Sequence, residues 1–257
     1  ATELKELLDD AVFDTPKPTK LLMKMLDLIH GNDYCVLDFY GGSSSTANAV
    51  MKKNVIDDGK RSFITVQFPD VVDEGSKAQR KGYSTITEIG EDRIRRAGQK
   101  ICDEIKAENQ QLKLGEEPRA IPDIGFRVLR IDSSNFKNTH LMPDQTNQAS
   151  LLEVIDNVKE GRTSEDILFQ VLPAFRIPYS AHIEEQDING KKVFDVNHGQ
   201  LLACLDADVT NDVIEEIARR KPSYAVMRDL SFKDDSAAAN FEELFKTFSP
   251  DTIRRVI

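Results

Sequence analysis

The sequence predicts an α/β protein, and three observations support this class. An apolar run at residues 34–39 is followed by a helical pattern at 45–54 and by a second apolar run at 62–68. This is the order of a βαβ unit, which pairs its strands in parallel. A further apolar run at 125–132 follows a long segment of helical period at 87–111. The composition, 40% hydrophobic and 30% charged, is typical of a globular chain with a buried core.

The first predicted helix covers residues 19–30 (TKLLMKMLDLIH), where apolar residues recur at helical spacing with lysines opposite. It starts after the proline-containing segment DTPKP, because proline is tolerated in a first helical turn, and it ends at Gly31. The two apolar runs, YCVLDF and SFITVQF, are predicted to be buried strands on either side of the helix STANAVMKKN.

A long helix is predicted at residues 87–111, and the run GFRVLRID at 125–132 predicts a further strand. The helix carries one apolar stripe, composed of Ile89, Ile94, Ala97, Ile101 and Ile105. Residues 138–150 (NTHLMPDQTNQAS) have no periodicity and are predicted to be a linker or domain boundary. We therefore expect two domains, at residues 1–140 and 149–257.

The second domain is predicted to be smaller, with an α+β fold. Asn189–Gly190 favours a type I′ turn, which places a hairpin within residues 181–197. The other predicted elements are helices at 150–161, 164–175, 212–221 and 237–248 and strands at 201–206, 223–229 and 252–257.

The net charge of −10 weighs against nucleic-acid binding over the whole surface, because binding to phosphates requires a basic surface. Two local basic clusters occur, one early in the chain and one on the long predicted helix. Acidic residues are interleaved with the second cluster, so we interpret it as a solvated helix face. The clusters are Lys17, Lys20 and Lys24, and then Arg93, Arg95, Arg96 and Lys100.

The three cysteines, Cys35, Cys102 and Cys204, lie far apart among apolar neighbours. Their spacing predicts no metal site and no disulfide framework, so we interpret them as buried structural thiols in a reducing compartment. No apolar run is long enough to cross a bilayer, and residues 1–10 lack a signal-peptide pattern. We therefore expect a cytoplasmic location and no membrane partner.

The strongest candidate site is the segment VLDFYGGSSSTANAVM, residues 36–51. A strand that ends in a glycine turn and leads into a helix points free backbone N–H groups at a ligand. A phosphate-binding P-loop would need a Lys-Ser or Lys-Thr ending, and a dinucleotide would need three spaced glycines; both patterns are absent. S-adenosyl-L-methionine, which has a carboxylate, an ammonium, a sulfonium and a ribose, is the third candidate.

The residues suit that third ligand chemically. Asp38 can attract the methionyl ammonium, Gly42 allows close approach of the backbone, and the serines can meet the carboxylate. These serines are Ser43, Ser44 and Ser45. Gln67 ends the next strand, where a doubly wound fold places a side chain that reaches ribose hydroxyls. A plain loop with a solvated aspartate is the alternative.

The segments VFDTPKP, VLDFYGGSSSTANAVM, FITVQFPD, GYSTITEIGEDRIRRAGQKI and DIGFRVLRIDSSNFK together resemble the modification subunits of type III restriction–modification systems. Those proteins are adenine-N6 DNA methyltransferases with a permuted motif order. The resemblance runs from about residue 12 to the C-terminus. It implies part of a doubly wound sheet like that of S-adenosylmethionine-dependent methyltransferases, followed by the smaller α+β domain.

Residue by residue, the resemblance implies cofactor-binding roles for positions in two motifs. Two departures matter: the family's second loop glycine is Ser44 here, and the acidic ribose-binding residue of many adenine methyltransferases is Gln67. Lys17 has a second interpretation, a helix-start lysine that faces water. The matching positions are Phe13, Lys17 and Pro18 before the strand, and Asp38, Phe39, Gly42 and Ser43 in the loop.

The Asp/Asn-Pro-Pro-aromatic motif that holds a flipped adenine is absent from this sequence. In the family that motif precedes the cofactor motifs, so the resemblance implies a C-terminal portion without catalytic residues, inactive alone. It also implies S-adenosyl-L-methionine as cofactor, and DNA, a restriction (helicase/nuclease) subunit and a second modification subunit (homodimer) as partners. Two alternatives stay open: a non-catalytic assembly module with a degenerate cofactor site, and an unrelated sugar-nucleotide or dinucleotide enzyme.

Overall fold

The structure is a computed structural model that describes residues 2–113, 115–137, 157–232 and 235–257. It divides into two compact units, Ala1–Val128 and Leu129–Ile257, which are nearly equal in length. The predicted linker at 138–150 and the larger part of the helix predicted at 150–161 lie outside the described residues.

The first unit contains the predicted βαβ arrangement. Strands β1 and β2 are parallel, with Leu37 opposite Ile64, and helix α3 connects them. Helix α2 ends four residues before the predicted end, and α1 was not predicted. The elements are α1 (Thr2–Leu8), α2 (Thr19–Leu26), β1 (Cys35–Asp38), α3 (Ser45–Asp57), β2 (Ser62–Thr65), α4 (Lys77–Arg80) and α5 (Ile86–Gln110).

The two faces of the β1–β2 pair differ in exposure. On one face, Val36 and Phe63 pack against buried side chains of α2 and α3. On the other face, Leu37 and Ile64 are 51% and 54% exposed, and Val66 beyond the end of β2 is 42% exposed. The prediction of two buried strands is therefore wrong for this face. Within the described residues of the first unit, no helix or strand covers it, although parallel sheets normally have both faces covered.

Helix α5 packs its predicted apolar stripe against α1 and α3, and all five residues of the stripe are buried. The strand predicted at 125–132 is absent from the described structure. Ile124 and Phe126 instead pack individually against the α3–α5 cluster. A Cβ at Gly98 of α5 would lie 2.9 Å from the Ile124 Cβ, so glycine permits this close approach.

The second unit is built on a five-stranded mixed sheet with the strand order β3-β4-β5-β6-β7. Strands β3, β4 and β5 are antiparallel, whereas β5, β6 and β7 are parallel. The elements are α6 (Ser164–Val171), β3 (Ile183–Ile188), β4 (Lys191–Val196), β5 (Leu201–Cys204), α7 (Asn211–Arg219), β6 (Tyr224–Met227), α8 (Asp235–Phe248) and β7 (Ile253–Val256), with 3₁₀ turns at Leu172–Phe175 and Asp229–Ser231.

The predicted hairpin turn is confirmed, since Asn189 and Gly190 both have positive φ, 50° and 80°. Both faces of this sheet are covered. Leu202 belongs to a core that includes residues of α7 and α8, and Leu201 belongs to a core that includes residues of α6. Helices α7 and α8 connect the parallel strands of this sheet, and the class, bounds and relative size of the second domain stay predictions.

The cysteine prediction holds at two of three positions. Cys102 and Cys204 are buried free thiols, and burial raises the pKa of the Cys204 thiol to about 11. Cys35 is exposed, because it lies at the start of β1 in the partly uncovered pair. Among the described helices, none combines the length and apolarity that crossing a bilayer requires.

Candidate ligand site at the end of strand β1

The candidate site is the loop that joins β1 to α3, at the carboxyl ends of both parallel strands. Gly42 and Ser44 have left-handed backbones, with φ of 51° and 55°. A Cβ at Gly41 would lie 2.0 Å from Thr65 Cγ2, so the loop touches the end of β2. Ser44, the N-cap of α3, makes no side-chain capping hydrogen bond. The first-turn N–H groups of α3 are therefore not capped by the Ser44 side chain, whereas the Gly41, Gly42 and Ser44 N–H groups are bonded within the protein.

Asp38 is held at the end of β1 by two hydrogen bonds within the loop. The Tyr40 N–H donates to Asp38 Oδ1 at 3.1 Å, and the Thr46 hydroxyl donates to Oδ2 at 2.6 Å. A carboxylate has about four acceptor positions, so Asp38 keeps acceptor capacity for a ligand ammonium. The contacts fix the carboxylate between the strand end and the first turn of α3.

Gln67 lies directly against the loop rather than apart from it. The Gly42 N–H donates to Gln67 Oε1 at 2.8 Å, and Gln67 Nε2 donates to the Phe68 carbonyl at 2.9 Å. The Gln67 side-chain amide therefore stabilises the glycine turn. Its remaining capacity towards a ribose hydroxyl is one N–H and one oxygen lone pair.

The serines of the loop are buried and point towards helix α5. The Arg93 Nη1 donates to the hydroxyls of Ser43 at 3.0 Å and Ser45 at 2.5 Å, and to the Ser43 carbonyl at 3.3 Å. Arg93 is only 1% exposed, so its assignment to a solvated helix face is wrong. Arg95 and Arg96 do lie on the exposed face.

A chain of polar contacts continues from Arg93 to helix α1. Arg93 Nη2 donates to Thr19 Oγ1 at 3.3 Å, and the Thr19 hydroxyl donates to Glu3 Oε2 at 2.6 Å. Lys52 of α3 also contacts the Glu3 carboxylate. Burial would raise the pKa of Glu3, but the hydrogen bonds from Lys52 and Thr19 outweigh it and lower that pKa.

The residues predicted before β1 lie on two sides of this network. A Cβ at Gly42 would lie 3.3 Å from the Phe13 ring, so Phe13 covers the glycine turn. Lys17 and Pro18 line a cavity of about 180 Å³ whose wall includes Glu3 and Arg93. The ring of Phe39, by contrast, is 65% exposed next to the strand end.

Helix α5 lies close to the loop at Gly90. A Cβ there would lie 2.6 Å from Ser44 Oγ and 3.2 Å from the Gly42 carbonyl oxygen. The Ser44 side chain is therefore directed at α5, and a glycine on the helix provides the space. Sequence reasoning identified Ser44 as a departure but missed Gly90.

We expect Gly90→Ala to lower the free energy of unfolding by about 1–3 kcal/mol, because the added methyl group overlaps Ser44 Oγ. In a Ser44→Gly background the same change should cost less, because the hydroxyl that the methyl group would overlap is gone. Glycine is tolerated at position 44, since the backbone there is left-handed. Urea denaturation of the unaltered chain, the two single variants and the double variant gives the coupling free energy between positions 44 and 90. An equal cost of Gly90→Ala in both backgrounds would contradict the contact.

No protein-family model matches the chain. Among curated proteins, the Mod subunit of the type III restriction-modification enzyme StyLTI from Salmonella typhimurium is 44% identical over 128 residues, which are 50% of this chain and 18% of that protein. The EcoPI Mod subunit of Escherichia phage P1 is 41% identical over 93 residues, 36% of this chain and 14% of the relative. The type II methyltransferase M.KpnI of Klebsiella pneumoniae is 30% identical over 87 residues, 34% and 21% of the two chains.

The chain thus spans less than a quarter of the length of these curated relatives. Its similarity to a methyltransferase implies a methyltransferase-like fold, consistent with the α/β architecture. Over about half of its length the chain is homologous to the Mod subunits of type III restriction-modification enzymes, and it corresponds to a portion of such a subunit.

Proposed function

We propose that this chain is the S-adenosyl-L-methionine-binding portion of a type III Mod subunit that methylates adenine N6 in DNA. The observation that carries the proposal is the β1–α3 loop. An aspartate at the strand end lies beside a glycine turn and an uncapped helix start, in a chain homologous to Mod subunits. S-adenosyl-L-methionine supplies an electrophilic methyl group on its sulfonium.

The donor and acceptor set of the loop fits the polar groups of that ligand. Asp38 offers a carboxylate for the ammonium, and the start of α3 offers N–H groups for the carboxylate. Gln67 lies two residues beyond the end of β2 and offers one amide N–H at the edge where doubly wound folds bind ribose. Phe13 and Phe39 supply apolar surface next to the turn.

The uncovered face of the β1–β2 pair supports the proposal that the methyltransferase site is completed by other polypeptide. Leu37, Ile64 and Val66 form an apolar surface at the strand pair that carries the candidate site. We propose that the part of a Mod subunit bearing the Asp-Pro-Pro-aromatic motif packs on it. On this view the present chain has no catalytic residue and is inactive alone.

We assign residues 1–140 to the cofactor-binding part and residues 149–257 to assembly. The proposed partners are those of the whole subunit: DNA, a restriction subunit and a second modification subunit. The net charge of −10 favours a DNA-binding surface outside this chain. The proposed location is the cytoplasm.

Calorimetric titration with S-adenosylmethionine and its demethylated product tests the proposal. We expect measurable but weak binding, and an affinity loss of about tenfold or more in Asp38→Asn, because a hydrogen bond to a charged group contributes about 1.5–3 kcal/mol. Asp38→Ala should lose at least as much, since it also frees Thr46 and Tyr40. Asp33→Asn, at the exposed opposite end of β1, is the matched control.

The absence of heat from the unaltered chain at millimolar ligand would overturn the proposed function. Unchanged affinity in both Asp38 variants would remove that residue's role alone. The contacts of Gln67 favour one second candidate, an assembly module with a degenerate cofactor site. One of the two lone pairs of its amide oxygen, which would accept from ribose, is already occupied by the Gly42 N–H.

A further inference from the structure

The buried guanidinium of Arg93 has no acidic hydrogen-bond partner in the described part of the chain. Its partners there are the neutral oxygens of Thr19, Ser43 and Ser45. Its Nε is buried without any partner. Burial lowers the pKa of Arg93 and the field of Glu3 partly offsets this, yet an arginine stays protonated at neutral pH. The loop therefore lies against a buried positive charge.

Two further donors in the same place have no acceptor among the residues that the structure describes. The hydroxyls of Ser43 and Ser45 accept hydrogen bonds from Arg93, which leaves their own hydrogens to be donated elsewhere. Within the described ranges, neither hydroxyl donates to a protein acceptor. Buried donors and a buried charge without an acidic partner are costly. An anion at the loop would relieve that cost.

Glu3 is one hydrogen bond removed from Arg93, because the Thr19 hydroxyl lies between them. One Glu3 carboxylate oxygen accepts from the Thr19 hydroxyl, and the other contacts Lys52. Because Arg93 donates to Thr19, the charge of Glu3 is shared between Lys52 and Arg93. The positive end of the α3 dipole lies at the same loop and adds to the field of Arg93. Both contributions favour a negative group at the turn.

We infer that Arg93 is a positioning and specificity-determining residue, which holds the serine turn and makes the site selective for ligands that carry a carboxylate. This inference rests on the proposed function and adds to it. The selectivity comes from the charge behind the loop and from the two serine hydroxyls that Arg93 orients. Arg93 acts through Ser43 and Ser45, so no direct contact with the ligand is required.

The test compares S-adenosylmethionine with its decarboxylated form, which keeps the amine, the sulfonium and the adenosine. We expect the unaltered chain to bind the carboxylated ligand about tenfold more tightly. Arg93→Gln should remove most of this preference by weakening binding of the carboxylated ligand alone, whereas the field of the α3 dipole remains. Arg95→Gln, which removes the same charge from the exposed face of α5, is the control and should keep the preference.

Ser45→Ala keeps the buried charge and removes one oriented hydroxyl, so it should reduce the preference part of the way. It also provides the test if Arg93→Gln does not fold. Equal affinity of the unaltered chain for both ligands, or equal losses for both ligands in Arg93→Gln, would overturn the inference and leave the proposed function intact. Binding of neither ligand would overturn the proposed function itself.

Discussion

Methyl transfer to unmodified DNA by this chain alone should remain at the background of a protein-free reaction, even at saturating S-adenosylmethionine. Transfer requires the adenine amine and the sulfonium to meet in one pocket, and the orientation effect of such a pocket is about 10⁵ M or more in effective concentration. A chain that contributes only the cofactor side gains none of it. We therefore expect activity to rise by orders of magnitude when a segment with the Asp-Pro-Pro-aromatic motif is supplied, fused or in trans.

Incorporation of tritiated methyl groups into DNA measures this reconstitution, and the uncovered strand face supplies its controls. Ile64→Lys should block reconstitution without unfolding the chain, because Ile64 is half-exposed in the β1–β2 pair. Ile56→Lys introduces the same charge at an exposed site of α3 and should not. Activity of the isolated chain would show that catalytic residues lie within it. The absence of methyl transfer after the missing segment is supplied would favour the assembly-module candidate.

Local sequence patterns predicted most of the elements because their signals are short-range. The βαβ unit follows from two apolar runs around a helical pattern, and the hairpin follows from Asn189–Gly190. The run at 125–132 had a strand-like pattern but no pairing partner, so tertiary packing of Ile124 and Phe126 decided its conformation. Helix α1 is short and was not predicted, although Leu4 and Leu8 are buried.

The loop of the candidate site was predictable from the sequence, but the hydrogen bonds that Arg93 makes behind it were not. Asp38, Gly42, Ser43 and Gln67 were identified from their places in a strand-turn-helix pattern, and the structure brings them together. Arg93 was not, because interleaved acidic residues are typical of a solvated helix face. Its burial depends on contacts with Thr19 and the serines, which are 48 to 74 positions away in sequence, and no local pattern encodes such contacts.

The exposure of β1 and β2 shows a second limit of sequence reasoning. A continuous apolar run predicts a strand buried on both faces, yet in the described structure only the face with Val36 and Phe63 is packed. The apolar character of Leu37 and Ile64 then predicts a covering element that the described residues of the first unit do not contain. The mismatch between pattern and burial is itself the reason to look for a covering segment at this face.

Phe245→Ala should destabilise the second unit by about 3–5 kcal/mol, the usual cost of deleting a buried phenylalanine ring. Phe245 is fully buried in the core between the sheet and helices α7 and α8, and its ring lies 5.0 Å from that of Phe241. Lys246→Ala, on the exposed side of the same helix, should change stability far less. Urea denaturation monitored by circular dichroism measures both.

The same variant also tests where the ligand site lies. Every residue that we assign to cofactor binding belongs to residues 1–128, and the core around Phe245 belongs to the other unit. Below the unfolding transition of Phe245→Ala, S-adenosylmethionine should therefore bind with the affinity of the unaltered chain. If the affinity falls along with the stability of the second unit, the site draws on residues beyond Val128, and the assignment of cofactor binding to the first unit alone is wrong.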